Sequence, residues 1–162
     1  MKGRVFSDTA MRFLDVYRKD FRLNDPLSEL VLKRSETDSL GYQYVRLEQV
    51  FRGLSVVGAE LLLQFDAENR LNLIQGGYVP TPDIDPKVHR YSASDALALG
   101  KNEIGTDYEI SGPDLVIFPQ PDGSSVLAYE MKFSRGLSQG WRLILDANDG
   151  SVLSKVSTRH TN

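Results

Sequence analysis

Three prolines in seven residues, Pro80, Pro82 and Pro86, interrupt this chain of 162 residues near its midpoint. Proline lacks a backbone donor, fixes its own φ and pushes the preceding residue out of helical space. Neither a helix nor a central strand can run through such a stretch, so it reads as a linker spanning about residues 79–90. The flanking segments, 1–80 and 81–162, are each expected to build their own sheet and helix. Each lies near the lower size limit for a single hydrophobic core.

The first segment opens with helical periodicity. Phe6, Ala10, Phe13, Leu14, Tyr17 and Phe21 recur three and four residues apart, which predicts a helix over 6–21 with an apolar face turned to a sheet. Ser7 or Asp8 is the expected cap, and Asn24-Asp25-Pro26 the stop. The period then changes to two. Leu27–Lys33 reads as a strand and Glu36–Gly41 as a turn. From Tyr42 to Phe51, Val45, Leu47, Gln49 and Phe51 share one face, with Tyr44, Arg46 and Glu48 on the other. Arg52-Gly53-Leu54-Ser55 supplies a hairpin turn, Val56–Phe65 the returning strand, Asp66–Arg70 a second turn and Leu71–Gln75 a fourth strand.

The second segment repeats the plan. Ser92-Ala-Ser-Asp95 is a capping-box variant opening a helix that contains Ala93, Ala96, Leu97, Leu99 and Ile104. Strands follow at Asp114–Pro119, Val126–Ser134, Trp141–Ala147 and Ser151–Ser157. Turns fall at Pro121-Asp-Gly123, 135–140 and Asn148-Asp-Gly150. The expected class is α+β, with two small subdomains, each one helix packed on an antiparallel sheet. Trp141, at the head of an apolar strand, is expected in the core.

Composition narrows the functional classes. The chain is 41% hydrophobic and 25% charged, ordinary for a globular domain. Apolar runs such as Leu61–Leu63 fall far short of the roughly 20 residues that span a bilayer. Met1-Lys2-Gly3-Arg4 is not followed by the apolar core of a leader peptide, which points to the cytoplasm or to a leader removed beforehand. The net charge is -3, with acids interleaved among the bases, which argues against nucleic acid as a partner. Cysteine is absent, excluding disulfides, thiolate metal sites and a cysteine nucleophile.

Catalytic signatures are equally sparse. There is no His-Glu-x-x-His, Gly-x-Ser-x-Gly, phosphate loop or dinucleotide fingerprint. Gly76-Gly77 follows a strand without opening a helix, so it reads as a strand-ending turn. Glu48, Glu60, Asp66 and Asp146 could supply a carboxylate pair, but a hydrolase needs one of two acids raised in pKa by burial. The Asp66-Ala-Glu-Asn and Asp146-Ala-Asn-Asp-Gly150 loops lack the full ligand alternation of a calcium site and read as Asx turns. The two histidines, His89 and His160, are far apart in sequence; His89 reads as exposed or packing. Gln49, on the apolar face of its strand, requires partners for its amide and is expected to bond to neighbouring backbone.

From Gly41 the string GYQYVRLEQVFRGLSVVGAEL, followed by apolar residues, an Asp-led turn and Asn72-Leu-Ile-Gln-Gly76, resembles the fungalysin/thermolysin propeptide motif (FTP). Its matching residues are Arg46, Gln49, Phe51, Gly53, Val56, Gly58, Glu60 and Gly76. Tyr44 stands where many members carry histidine. The second segment resembles a PepSY domain through Asp114–Pro119, Leu127-Ala128-Tyr129-Glu-Met131, Trp141–Ala147 (with Asp146) and Gly150-Ser-Val-Leu153 in order. FTP followed by PepSY resembles the N-terminal propeptide of thermolysin-like zinc metalloproteases.

The resemblance implies a module that is not itself an enzyme and holds no cofactor or metal of its own. It implies a role as intramolecular chaperone and inhibitor of a secreted protease, with the metalloprotease catalytic domain as partner, in cis or in trans. It also implies a secreted or extracytoplasmic location. The stretch Ser157, Thr158, Arg159, His160 is the implied inhibitory segment, in which the His160 imidazole could approach the protease zinc. The alternative is a free-standing extracytoplasmic FTP/PepSY protein that binds a peptide, protease or surface partner in trans.

Overall fold

The computed structural model describes residues 2–136 and 139–158, with side chains from Asp8 onward. The chain is α+β and divides into two compact units, Met1–Asp83 and Ile84–Asn162, with the boundary inside the proline-rich stretch.

In the first unit, helix α1 (Lys2–Val16) is followed by a one-turn helix α2 (Pro26–Glu29) and strands β1 (Leu30–Thr37), β2 (Gln43–Phe51), β3 (Leu54–Phe65) and β4 (Leu71–Gly77). The strands pair antiparallel in chain order. The alternation of β2 is visible in its burial: Val45, Leu47, Gln49 and Phe51 are buried, while Tyr44, Arg46 and Glu48 are not. Ala10 and Leu14 of α1 join Val45, Leu47, Leu61, Leu63 and Phe65 in one core. Each fully buried side chain of leucine or phenylalanine size contributes about 1.5–3 kcal/mol.

Two expectations are corrected here. Helix α1 begins at Lys2, so neither Ser7 nor Asp8 caps it, and regular helix stops at Val16 rather than Phe21. Irregular turns carry the chain on to Arg22, whose φ of 52° is left-handed. The Leu23 N–H bonds to the Arg18 carbonyl at 3.0 Å and the Arg22 N–H to the Lys19 carbonyl at 3.2 Å. That is a Schellman closure with arginine in the place glycine usually takes. Residues 27–29, expected as strand, belong to α2. Pro26 occupies the first helical turn, where its missing donor costs nothing, and the strand starts only at Leu30.

The second unit contains α3 (Ala93–Ile104) and strands β5 (Glu109–Pro119), β6 (Ser125–Arg135), β7 (Gln139–Asp146) and β8 (Val152–Ser157). These strands also pair antiparallel in chain order. Ser92 caps α3 in a reciprocal box with Asp95. The helix packs closely: Gly100 faces Met131 and Phe133, and a Cβ there would lie 2.9 Å from the Met131 side chain. Trp141 is only half-buried, against expectation. The Lys155 ammonium stands 5.3 Å above its ring and donates to the Glu103 carboxylate at 2.8 Å. The tryptophan therefore lies under a charged side chain of β8, outside the closed core.

Candidate functional site

The residues singled out around β2 and β3 occupy two faces of one sheet. On the face that meets α1, Gln49 is 1% exposed and Phe51 7%. The Gln49 Nε2 donates to the Val79 carbonyl at 2.8 Å, and its Oε1 accepts the Val79 N–H at 2.9 Å. The amide thus finds backbone partners, thirty residues further along the chain. Val56 is also buried. Gly53 forms the β2–β3 turn with Arg52. Both have positive φ, 85° and 49° respectively, the geometry of a two-residue type I′ hairpin. The Arg52 guanidinium stands 5.1 Å over the Phe51 ring.

On the opposite face, Arg46 and Lys33 converge on Glu60. Lys33 Nζ lies 2.6 Å from Glu60, and Arg46 Nη1 pairs with the other carboxylate oxygen. Hydrogen bonds from Lys33 and then Arg46 hold the Glu60 carboxyl below its ordinary value. The Lys33 ammonium is raised in turn, chiefly by its bond to Glu60. Arg46 is the direct cross-strand partner of Arg34, which pairs with Glu36. Arg34, Glu36, Tyr44, Arg46 and Leu62 line a shallow depression of about 260 Å³. Tyr44 donates its hydroxyl to Asp38 at 3.1 Å. Desolvation, reinforced by that bond, raises the phenol above its ordinary range.

The remaining glycines of the motif are conformational. Gly58 has a φ of 74°. Gly76, at φ 127°, lies so close to the Glu60 carbonyl that no Cβ fits between them.

In the second unit, Leu127, Ala128 and Tyr129 are core residues. Tyr129 donates its hydroxyl to the Tyr91 carbonyl at 3.2 Å and meets the His89 ring edge-on at 6.1 Å. Asp146 accepts the Asn148 N–H at 2.6 Å in an Asx turn, and Gly150, at φ 75°, closes the loop with its N–H on the Asp146 carbonyl at 3.0 Å. Ser157 ends β8 opposite Trp141, and the Thr158 N–H bonds to the Gly140 carbonyl at 2.9 Å. Arg159 and His160 lie outside the described residues. Among the described residues no cluster of three metal-ligating side chains occurs.

A second constellation goes beyond the residues that the sequence singles out. Glu29 is only 5% exposed. Its carboxylate accepts the Asp25 N–H at 2.8 Å and the Thr81 hydroxyl at 2.7–2.8 Å, and the Asn24 N–H bonds to that hydroxyl at 2.9 Å. The available signal is Asp25-Pro26 followed by Glu29, a helix start with an acid in its first turn.

Comparison with known proteins identifies the class of the first unit. Residues 28–78 match the Fungalysin/Thermolysin Propeptide Motif. That match lies within the first unit, and the chain as a whole is similar to the N-terminal regions of thermolysin-type proteases. It is 30% identical over 164 residues to thermolysin of Alicyclobacillus acidocaldarius subsp. acidocaldarius, covering 91% of this chain and 29% of that protein. It is 26% identical over 168 residues to thermostable neutral protease NprT of Geobacillus stearothermophilus, covering 95% and 30%. The chain thus spans about three-tenths of the length of these relatives. Among solved structures it matches the Bacillus megaterium YpeB C-terminal domain at 13% identity, over 95% of this chain and 64% of that one, with a TM-score of 0.43.

Proposed function

We propose that this chain is the propeptide region of a secreted thermolysin-like zinc metalloprotease, and that it helps the protease domain fold and inhibits it until processing. The observation that carries this reading is the propeptide motif at 28–78, together with relatives aligned over more than nine-tenths of the chain. In the same reading, residues 1–80 are the FTP-like subdomain and residues 81–162 a PepSY-like subdomain, with Leu127, Tyr129 and Trp141 as packing residues.

The chaperone role has a simple thermodynamic form. A module that binds the native protease and not its unfolded chain stabilises the native state by mass action. The faces of two antiparallel sheets supply the surface for such binding. Inhibition requires a segment in the protease cleft, and the stretch from Ser157 through Thr158, Arg159 and His160 is assigned that role, with the imidazole of His160 directed at the zinc.

The test is a titration of a mature thermolysin-like protease from the same organism with this chain, following peptide hydrolysis. Stoichiometric loss of activity at sub-micromolar concentration is the expected result. No loss up to about 100 μM, an affinity weaker than roughly -5.5 kcal/mol, overturns inhibition and favours the trans-acting binding module. His160→Ala is expected to weaken inhibition; an unchanged inhibition curve removes the zinc contact from the proposal.

A further inference from the structure

The His89 ring is half-buried, and its Nδ1 is shielded from solvent with no hydrogen-bond partner among the described residues. A buried polar atom left unpaired is uncommon in a folded chain. An unpaired lone pair is tolerated more readily than an unpaired N–H, so the neutral ring carries its proton on Nε2.

The surroundings supply no acceptor for a second proton. The ring meets Tyr129 of β6 edge-on at 6.1 Å. Tyr129 is 5% exposed, and its hydroxyl already donates to the Tyr91 carbonyl. Desolvation, and then the charge of Asp95, raises that phenol above its ordinary range, the mark of a dry environment. The cross-strand neighbours of Tyr129 are Leu115 and Leu145. The charged groups on the surrounding elements are engaged elsewhere. At the start of α3, Asp95 accepts the Ser92 N–H at 2.9 Å and the Ser92 hydroxyl at 2.6 Å. In the turn after β7, Asp146 accepts the Asn148 N–H and Asp149 the Ser151 N–H. Glu130 alternates to the opposite face of β6 and pairs with Arg142. In the segment itself, Asp85 accepts the Lys87 N–H, and the Arg90 guanidinium stands 5.9 Å over the Tyr91 ring.

His89 also lies where the chain enters the second unit. Downstream, the Arg90 and Tyr91 N–H groups both bond to the Ala147 carbonyl, at 3.1 Å and 2.9 Å. Upstream, the Lys87 and Val88 N–H groups bond within the segment, to Asp85, and Val88 is 68% exposed. The contact of the His89 ring with Tyr129 thus lays this stretch against β6.

We propose that His89 is an acid-sensitive latch: as a neutral ring it holds residues 84–91 against Tyr129, and on protonation at Nδ1 it leaves that site to hydrate the new N–H, loosening the bonds to Ala147. The open form then binds the proton more readily than the closed one. The closed form therefore loses ground as pH falls through about 6.5, the ordinary value of a solvated histidine. The inference goes beyond the propeptide reading, since its readout is local opening of the second unit and not inhibition of a protease.

The test is hydrogen exchange in the 15N-labelled full chain at pH 7.5, 6.5 and 5.5, read as protection factors of the Arg90 and Tyr91 amides against the intrinsic rate at each pH. Protection is expected to fall about five- to tenfold over this range, one proton setting a limit of about tenfold per pH unit. His89→Phe keeps the edge contact with Tyr129 and cannot be protonated, so its protection is expected to stay constant within about twofold. His89→Gln, also neutral, supplies the same test should His89→Phe misfold. His160→Ala is expected to retain the wild-type fall, which separates the two histidines of the chain. Long-range 1H–15N spectra of the imidazole are expected to place the proton on Nε2 at pH 7.5. Constant protection in the wild type overturns the proposal, as does an equal fall in His89→Phe. A fall abolished by His160→Ala, or a proton on Nδ1 at pH 7.5, overturns it as well.

Discussion

Gln49 and Val79 exchange two hydrogen bonds, 2.8 Å and 2.9 Å long, so that one side-chain amide pairs with a residue's backbone as a neighbouring strand would. Gln49 lies on the core face of β2, and Val79 lies just past the end of β4. The chain leaving the sheet is therefore pinned by a buried polar group. Two residues on, Thr81 repeats the fastening: its N–H bonds to the Arg22 carbonyl at 3.3 Å and its hydroxyl donates to Glu29. The first unit is thus tied at its exit by side chains from β2 and α2.

Gln49→Ala is expected to destabilise the first unit by about 1–3 kcal/mol, the cost of leaving a buried donor and acceptor unpaired. Gln49→Glu should cost at least as much, since it removes the donor to the Val79 carbonyl and adds a charge at a site that is 1% exposed. Urea denaturation measures both, and the Val79 amide should lose hydrogen-exchange protection. Retained protection at Val79 in Gln49→Ala would mean that other contacts hold the segment.

Two glycines of the motif separate backbone strain from steric exclusion. A Cβ added at Gly53 would meet nothing within 4 Å, so Gly53→Ala costs only the strain of its left-handed φ of 85°, about 1–2 kcal/mol. Gly76→Ala meets the Glu60 carbonyl directly and must displace β4 from β3. It is expected to cost clearly more, about 3 kcal/mol or greater, with exchange protection lost along β4. Equal losses of stability for the two variants would contradict the close approach at Gly76.

The hairpin of β2 and β3 is legible in the sequence because its alternation and its Arg52-Gly53 turn are local signals that agree. The capping box at Ser92 is legible for the same reason. The α2 turn is hidden because Leu27 within it and Leu30 just after it read as one continuous strand, although Pro26 opens a helical turn there. Trp141 reads as core because the sequence shows an apolar strand but not the lysine of β8 that covers the ring. For the site, sequence identifies Gln49 as a buried amide needing backbone, but not which backbone: Val79 is brought there by two intervening strands. Glu29 gives no signal of burial, because its partner Thr81 reaches it only in the folded unit.

The start of α3 offers a local test. Ser92 accepts the Asp95 N–H at 3.2 Å, and the Asp95 carboxylate accepts the Ser92 N–H at 2.9 Å. Ser92→Ala is expected to cost about 1 kcal/mol, and Ser92→Gly only a few tenths. Fluorescence of Trp141, the single tryptophan, follows the unit that contains this helix. Identical midpoints for wild type and Ser92→Ala would show that the cap contributes nothing to that unit.

The Lys33–Glu60–Arg46 cluster predicts a pH window with two edges. Glu60 is held below its ordinary value of 4.5, first by Lys33 and then by Arg46, so its contribution is present above that value and is lost as pH falls through the lowered folded pKa. Lys33 is raised above 10.5, chiefly by Glu60, so its contribution is present below that value and is lost as pH rises through the raised one. The side chains of Lys33, Arg46 and Glu60 remain 51%, 44% and 26% exposed. Solvent screening therefore limits the effect to about 1 kcal/mol. Urea midpoints from pH 7 to pH 3 should fall more steeply for wild type than for Glu60→Gln, and the two curves should approach one another at the acid end. Raised salt should narrow the gap at pH 7 only partly, since the ions are in contact. Parallel curves across the whole range would show that the cluster is electrostatically neutral to stability, leaving Glu60 with no net role in holding β1 to β3.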